Sequence, residues 1–137
     1  HRDFHISNIM LNHKKIYLID TQDLVYGNPA YDVASLIDDV RSKISLKNRE
    51  ILYKKFLFRK KKKFNSKLRN DFEILSTLRN LKIIGIFTRL SKRDKKHSYV
   101  KMIPYAWQMI EERLTQNHNL YELKSFFDRY FPKTMRI

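Results

Sequence analysis

The stretch HRDFHISNIMLNHKKIYLIDTQD, residues 1–23, decides the fold because two short apolar runs in it are flanked by polar residues. The first run covers residues 9–11 and the second covers residues 16–19, with a polar segment between them. Two apolar runs of this length, joined by a short polar segment, are typical of a β-hairpin. The sequence therefore predicts a hairpin with a polar side chain at each outer end, Asn8 at one and Asp20 at the other.

The rest of the chain has the composition of helices joined by short connections. Two Gly and three Pro among 137 residues are too few for a turn-rich sheet or a glycine-lined phosphate loop. A hydrophobic content of 42% is ample for one packed core. We expect a single, mainly α domain with a small β-hairpin (α+β), in which residues 1–23 form the loop and hairpin and residues 28–131 form a helical subdomain.

Apolar side chains at helical spacing predict five helices in that subdomain. Asn28 is expected to cap the first of them. The second is expected to bury a stripe that includes Ile51, Leu52 and Phe56, and Pro104 implies that the fourth either starts beside it or is kinked. The five predicted helices cover residues 29–41, 48–58, 68–90, 103–114 and 120–130.

The charge balance is strongly basic, with 29 Lys and Arg against 14 Asp and Glu and a formal net charge of +15. Such a surface attracts phosphates and nucleic acid at low salt. Lys, Asn, Ile, Tyr and Phe have A/T-rich codons, so genome composition is the simpler account, and the basic run at residues 60–63 is most simply a solvated face. We therefore do not expect nucleic acid as a partner, and a non-catalytic, basic, helical nucleic-acid-binding domain is the alternative.

The sequence also indicates a compartment. No cysteine is present, so neither a disulfide framework nor a thiolate metal site is available. The longest apolar stretch, residues 83–87, is far too short to cross a bilayer, and the first residues contain no signal-peptide core. We expect a cytoplasmic protein that makes no membrane contact.

The residues that carry chemistry lie at the start of the chain. His1, Arg2, Asp3 and Asn8 fit the pattern H-R-D-x-x-x-x-N, the catalytic loop of protein kinases. In that loop the Asp accepts the proton of the attacking hydroxyl and the Asn binds Mg²⁺. Asp20 follows Asn8 by twelve residues, at the end of an apolar run, where a kinase places the carboxylate that holds Mg²⁺ against the nucleotide phosphates.

The chemistry of phosphoryl transfer explains this arrangement. One carboxylate must face the acceptor hydroxyl while other oxygens hold the metal, because the reaction is driven by positioning and charge neutralisation. Mg²⁺ prefers few protein oxygens together with waters and phosphate, so one Asn and one Asp suffice. The joint spacing favours this interpretation over one in which Asp3 is a solvated turn residue and Asn8 a helix cap.

Together with IDTQD at residues 19–23, Gly27 and YDVASL at residues 31–36, the loop resembles the aminoglycoside phosphotransferase and choline kinase superfamily, which has a protein-kinase-like fold. Within it, the chain is most similar to bacterial sugar kinases that phosphorylate the anomeric hydroxyl of N-acetylmuramic acid or N-acetylglucosamine during cell-wall recycling. The resemblance implies ATP-dependent transfer to a hydroxyl of a small molecule, with an amino sugar as substrate and Mg²⁺ and ATP as cofactors. Aminoglycosides and choline are the alternative acceptors within the superfamily.

The resemblance also implies roles for individual residues. Asp3 is the expected catalytic base, and Asn8 and Asp20 are the expected Mg²⁺ ligands. Asp32, at the start of the first helix, is expected to brace the catalytic loop as structural support.

Two further residues of the same stretch are candidates for substrate binding, His5 and Asp23. A histidine that packs and hydrogen-bonds within the loop is the alternative for His5, and a turn role is the alternative for Asp23.

A kinase also requires a glycine-rich loop over the phosphates and a strand Lys paired with a helix Glu. The sequence contains neither of these features. We therefore interpret the chain as the C-terminal lobe of a protein-kinase-like fold, with the N-terminal lobe of the same protein as its missing partner. By itself, the chain is expected to transfer phosphate poorly or not at all.

Overall fold

The computed structural model describes residues 1–59 and 66–136, so the basic run at residues 60–63 lies outside the described residues. The structure is mainly helical with one two-stranded antiparallel sheet, and the expected fold class is therefore confirmed. Within the described residues, four 3-10 turns occur, at Ile6–Asn8, His97–Met102, His118–Leu120 and Lys133–Met135. The strands and helices are β1 (Ile9–Asn12), β2 (Lys15–Leu18), α1 (Ala30–Ile37), α2 (Leu46–Arg59), α3 (Ser66–Asp94), α4 (Ile103–Gln116) and α5 (Tyr121–Tyr130).

The hairpin forms where the apolar runs predicted it. β1 pairs with β2 in a register that places Ile9 opposite Leu18, and the N–H of Ile19 extends the ladder by donating to the carbonyl of Asn8 at 3.1 Å. His13 and Lys14 connect the strands with φ angles of 44° and 61°. Positive φ at both central residues is the signature of a type I′ turn, whose twist matches that of the strands. The hairpin therefore closes tightly and brings its two outer ends side by side.

Helix α1 ends four residues earlier than predicted, at Ile37 instead of near Arg41. The carboxylate of Asp39 is fully buried and accepts hydrogen bonds from the main-chain N–H and the guanidinium of Arg41, at 3.2 and 3.0 Å. Short acidic side chains compete in this way with helical hydrogen bonds. The turn built around Asp39 therefore replaces the last predicted turn of the helix.

Helix α2 buries a different face from the predicted one. Ile51 and Leu52 are exposed, and the buried positions of this helix are Arg49, Tyr53 and Leu57. The guanidinium of Arg49 lies 3.2 Å from the buried carboxylate of Asp38, and a buried charge needs such a partner. The apolar pattern was misleading here because the residue that begins the buried stripe is an arginine.

Helix α3 begins at Ser66 and continues to Asp94, past its predicted end near residue 90. Lys95 follows it with φ 57°, and the N–H of Lys96 turns back to the carbonyl of Leu90 at 3.1 Å. A residue in the left-handed region is a common way to end a helix, although glycine usually occupies it.

The chain divides into two compact units, residues 1–72 and residues 73–137. The first contains the hairpin, α1, α2 and the beginning of α3. In it the side-chain amide of Asn28 donates to the carboxylate of Asp71 at 2.9 Å, and the rings of Tyr53 and Phe72 pack at 4.7 Å. The expectation of one domain with parts at residues 1–23 and 28–131 stays a prediction.

The second unit has a core built from α4, α5, the 3-10 turn that precedes α5 and the middle of α3. Trp107 lies in this core, where its ring meets that of Phe127 edge-on at 5.4 Å. α4 starts at Ile103 with Pro104 in its first turn, so the proline marks the helix start and not a kink. The buried residues of the cluster are Trp107, Ile110, Leu114, Leu120 and Phe127.

Arg136 ties the last described residues to this core. Its guanidinium donates to Glu111 of α4 at 3.1 Å and to Asp128 of α5 at 3.0 Å, and its Nε donates to the carbonyl of Phe131. Lys124 also donates to Asp128, at 2.6 Å. Among the residues that the structure describes, no helix has both the length and the apolar character needed to cross a membrane.

Candidate active site

The catalytic-loop segment is anchored from its first residue. Asp32 lies in the first turn of α1, and its two carboxylate oxygens accept hydrogen bonds from the main-chain nitrogens of His1, at 2.8 Å, and Arg2, at 3.0 Å. The start of α1 is itself held by Asn28, whose side-chain oxygen accepts the N–H of Ala30 at 3.0 Å. The position of the loop is therefore coupled to the start of a helix, and the supporting role of Asp32 stays a prediction.

The loop folds back on itself between Arg2 and Asn8. Arg2 adopts φ 65°, the N–H of His5 donates to the carbonyl of Asp3 at 3.1 Å, and the N–H of Asn8 donates to the carbonyl of His5 at 2.9 Å. The second of these bonds begins the short 3-10 turn Ile6–Asn8, in which the N–H of Ile9 donates to the carbonyl of Ile6 and which leads into β1. The side chain of Asp3 is left 55% exposed at the outside of the fold-back, where a solvent-borne molecule can reach it.

Asn8 links the loop to the far end of the hairpin. Its side-chain amide donates to the main-chain carbonyl of Asp3 at 3.0 Å and lies 3.4 Å from a carboxylate oxygen of Asp20. Asp20 is exposed and adopts φ 62°, a left-handed conformation that Asp tolerates better than most residues. The structure therefore brings Asp3, Asn8 and Asp20 together, as the spacing in the sequence predicted.

Two residues to which the sequence assigned no individual role also contact this group. The imidazole Nε2 of His1 donates to the carbonyl of Ile19 at 3.1 Å, which fastens the loop to the end of β2. The side-chain amide of Gln22 donates to the other carboxylate oxygen of Asp20. Gln22 lies in the turn that follows Asp20, and no residue pattern in the sequence indicated this contact.

The two candidates for substrate binding lie in different surroundings. His5 is buried, and its Nε2 lies 3.4 Å from the carboxylate of Asp3. Asp23 is exposed, in a turn that is closed by the N–H of Leu24 donating to the carbonyl of Thr21 at 3.3 Å. Substrate binding by His5 and by Asp23 stays a prediction, beside the alternatives of packing within the loop for His5 and a turn role for Asp23.

The donor set at the end of the hairpin fits a hard divalent cation. Asp20 offers a carboxylate and Asn8 an amide oxygen, and exposure of Asp20 leaves room for water and phosphate ligands. Within residues 1–59 and 66–136, no group of three or more His, Asp and Glu side chains is arranged to hold a metal ion. A cation at this site would therefore take only a few of its ligands from the described residues.

Comparison with known proteins assigns a class to this loop and hairpin. Residues 1–56 match the model of the phosphotransferase enzyme family. This part of the chain, which holds Asp3, Asn8, Asp20 and Asp32, belongs to that family. The resemblance to the aminoglycoside phosphotransferase superfamily is thereby confirmed.

Individual relatives extend the similarity beyond residue 56. The chain is 30% identical over 141 residues to the N-acetylmuramate/N-acetylglucosamine kinase of Caulobacter vibrioides, covering 99% of this chain and 39% of that protein. It is 34% identical over 113 residues to the kinase of the same name from Neisseria meningitidis, covering 76% of this chain and 33% of the relative. A third, from Pseudomonas aeruginosa, is 29% identical over 132 residues. The chain thus spans between 33% and 39% of the length of these curated relatives.

Proposed function

We propose that the protein transfers the terminal phosphate of ATP to a hydroxyl of an amino sugar, with the anomeric hydroxyl of N-acetylmuramate or N-acetylglucosamine as the acceptor. The family of residues 1–56 supports phosphotransfer, and the names of the relatives support this class of acceptor. The proposal assigns the reaction to the cytoplasm, where ATP is abundant.

One observation carries the proposal, the convergence of Asp3, Asn8 and Asp20. The amide of Asn8 reaches the main chain of Asp3 at 3.0 Å and the carboxylate of Asp20 at 3.4 Å. A kinase needs one carboxylate for the acceptor hydroxyl and oxygen ligands for a metal within a few ångströms of each other. Hydrogen bonds from the main chain of His1 and Arg2 to Asp32, and from the ring of His1 to Ile19, hold the loop in place.

In the proposed reaction, the carboxylate of Asp3 takes the proton of the acceptor hydroxyl as the hydroxyl oxygen forms a bond to the γ-phosphorus of ATP. The bond between that phosphorus and the β–γ bridging oxygen breaks, and ADP leaves with the electron pair of the bond. The 55% exposure of the Asp3 side chain leaves room for an acceptor beside it. In this reaction Asp3 acts as the general base, through a direct hydrogen bond with the acceptor hydroxyl.

Asn8 and Asp20 would hold Mg²⁺ at the other side of the group. A bound Mg²⁺ supplies positive charge that neutralises the phosphate oxygens of the nucleotide. The hydrogen bond from Gln22 to one oxygen of the Asp20 carboxylate leaves the other oxygen facing Asn8. Both candidate ligands are hard oxygen donors, which supports Mg²⁺ over softer metals.

Phosphate transfer from ATP to N-acetylglucosamine and to N-acetylmuramate, measured with the full-length protein, tests the proposal. Replacing Asp3 by Asn should lower kcat by about a hundredfold or more, because the general base is lost while the shape is kept. Asp94→Asn, which alters a partly exposed carboxylate at the end of α3, is the matched control and should leave turnover unchanged. Undiminished turnover of Asp3→Asn would remove Asp3 from its role, and preferential turnover of aminoglycosides or choline would replace the amino sugar.

A further inference from the structure

His5 occupies an unusual position for a residue beside a catalytic carboxylate, because its imidazole is almost wholly enclosed. The side chain is 7% exposed, whereas that of its neighbour Asp3 is 55% exposed. The Nε2 atom of His5 faces the Asp3 carboxylate at 3.4 Å. An enclosed ring that meets the exposed carboxylate from the protein side offers little surface to an acceptor molecule.

The surroundings of the second ring nitrogen indicate which nitrogen carries the proton. The Nδ1 atom of His5 is buried and has no hydrogen-bond partner within the described part of the chain. A proton on Nδ1 would be a buried, unpaired donor, which is costly, whereas a proton on Nε2 points at a carboxylate. The tautomer with its proton on Nε2 is therefore favoured over the one with its proton on Nδ1.

Main-chain bonds keep the imidazole and the carboxylate facing each other. The N–H of His5 donates to the carbonyl of Asp3, and the carbonyl of His5 accepts the N–H of Asn8. The same fold-back of the loop therefore fixes the main chain at both Asp3 and His5. The 3.4 Å distance is longer than an ordinary hydrogen bond, and catalytic hydrogen bonds are often long before substrate binds and tighten in the complex.

We propose that His5 is a positioning residue for Asp3. Its Nε2–H donates to one oxygen of the Asp3 carboxylate and holds that group so that the other oxygen faces the acceptor hydroxyl. This role rests on the proposed function, in which Asp3 is the base, and it gives His5 no direct contact with the sugar. The energetic reason is orientation, since a carboxylate that rotates freely spends little time in the reactive geometry.

Two substitutions of His5 separate positioning from substrate binding. In the full-length protein, His5→Phe keeps the enclosed ring and removes the donor, and it should lower kcat by about 10- to 100-fold. The KM values for ATP and the sugar should stay within about threefold, since no ground-state contact is lost. His5→Gln restores an N–H donor near the position of Nε2 and should return kcat to within about threefold of the wild type.

The kinetic outcomes that overturn the proposal are specific. A raised KM for the sugar with kcat unchanged assigns His5 to substrate binding, and equal loss of kcat in the Phe and Gln variants reduces its role to packing. His13→Gln is the matched control, because His13 lies in the hairpin turn and is exposed, and it should leave both parameters unchanged.

A measurement that needs no turnover distinguishes failure of this inference from failure of the proposed function. Nitrogen-15 NMR of the imidazole groups should report the Nε2–H form for His5, and Asp3→Asn should shift the Nε2 resonance of His5 and not that of His13. A proton on Nδ1 of His5, or an Nε2 resonance of His5 that is unchanged in Asp3→Asn, would show that the contact does not form. If the NMR result holds and no acceptor is phosphorylated, the contact stands, and the proposed reaction and the positioning role that rests on it are both wrong.

Discussion

Asp32 is the residue on which the geometry of the loop most directly depends. Its two oxygens accept from two consecutive main-chain nitrogens, those of His1 and Arg2. Asp32→Ala leaves both nitrogens without this acceptor, and it should lower stability by about 1 kcal/mol. It should lower kcat by about tenfold, because the loop loses its attachment to α1.

Turnover and urea unfolding of the same preparations check this expectation. Asp32→Asn keeps one oxygen acceptor and should fall between the wild type and Asp32→Ala in both measurements. A variant that unfolds more easily yet turns over at the wild-type rate would limit Asp32 to a general role in stability.

At the residue scale, the sequence predicted which residues come together but not how their side chains are oriented. The motif spacing identified Asp3, Asn8 and Asp20, because a hairpin of known length must bring its ends together. The burial of His5 and the contact of Gln22 with Asp20 depend on side-chain directions in a short irregular turn. Such directions follow from local backbone angles, like the φ of 62° at Asp20, that residue patterns do not specify.

At the scale of elements, the end of α3 offers a test of backbone strain. Lys95 adopts φ 57°, a conformation that costs an L-amino acid roughly 1 kcal/mol and costs glycine almost nothing. Lys95→Gly should therefore raise the free energy of unfolding by about 1 kcal/mol. Thermal or urea unfolding measures the change.

The neighbouring residue is the control for that prediction. Lys96 carries the same side chain and charge but has φ −87°, an ordinary angle for any residue. Lys96→Gly should thus be neutral or destabilising, because glycine raises the conformational entropy of the unfolded chain and relieves no strain in the folded one. Equal stabilisation by both variants would point to the loss of a positive charge and not to backbone strain.

The helices show where apolar periodicity succeeds and where it fails. The pattern located α3, α4 and α5, whose apolar faces pack in the second unit. It misjudged α2 because the buried position of Arg49 depends on a partner, Asp38, that lies in another element. Hydropathy treats each residue by itself, so a buried ion pair cannot be predicted from it.

At the scale of the whole molecule, the ion pairs around Arg136 make the second unit sensitive to acid. Hydrogen bonds from Lys124 and then from Arg136 lower the pKa of the Asp128 carboxyl below its usual value. A lowered pKa means that this stabilisation is complete above the ordinary Asp pKa of about 3.9 and is lost as pH falls through the lowered value. Thermal unfolding between neutral pH and pH 3 should show the loss, and Asp128→Asn should weaken that part of the pH dependence.

The exposure of apolar side chains to solvent is the property that the sequence predicted least well. The two apolar runs correctly predicted the hairpin, yet Leu11 and Ile16 are 74% and 70% exposed on it. Alternating burial is the usual basis for predicting strands, and it is absent from β2, which is exposed throughout. The strands could be predicted because a short polar segment separates two β-forming runs. This signal does not depend on whether the faces of the strands are buried.

The tight turn of the hairpin also offers a place to attach a reporter group. The 137 residues contain no cysteine, so Asn12→Cys would create a single thiol on them. Asn12 is exposed at the end of β1, roughly 13 Å from Asn8 at the usual rise per strand residue. If the protein binds a nucleotide as proposed, a fluorophore there would be far enough away to leave that binding undisturbed and close enough to report it as a change in emission.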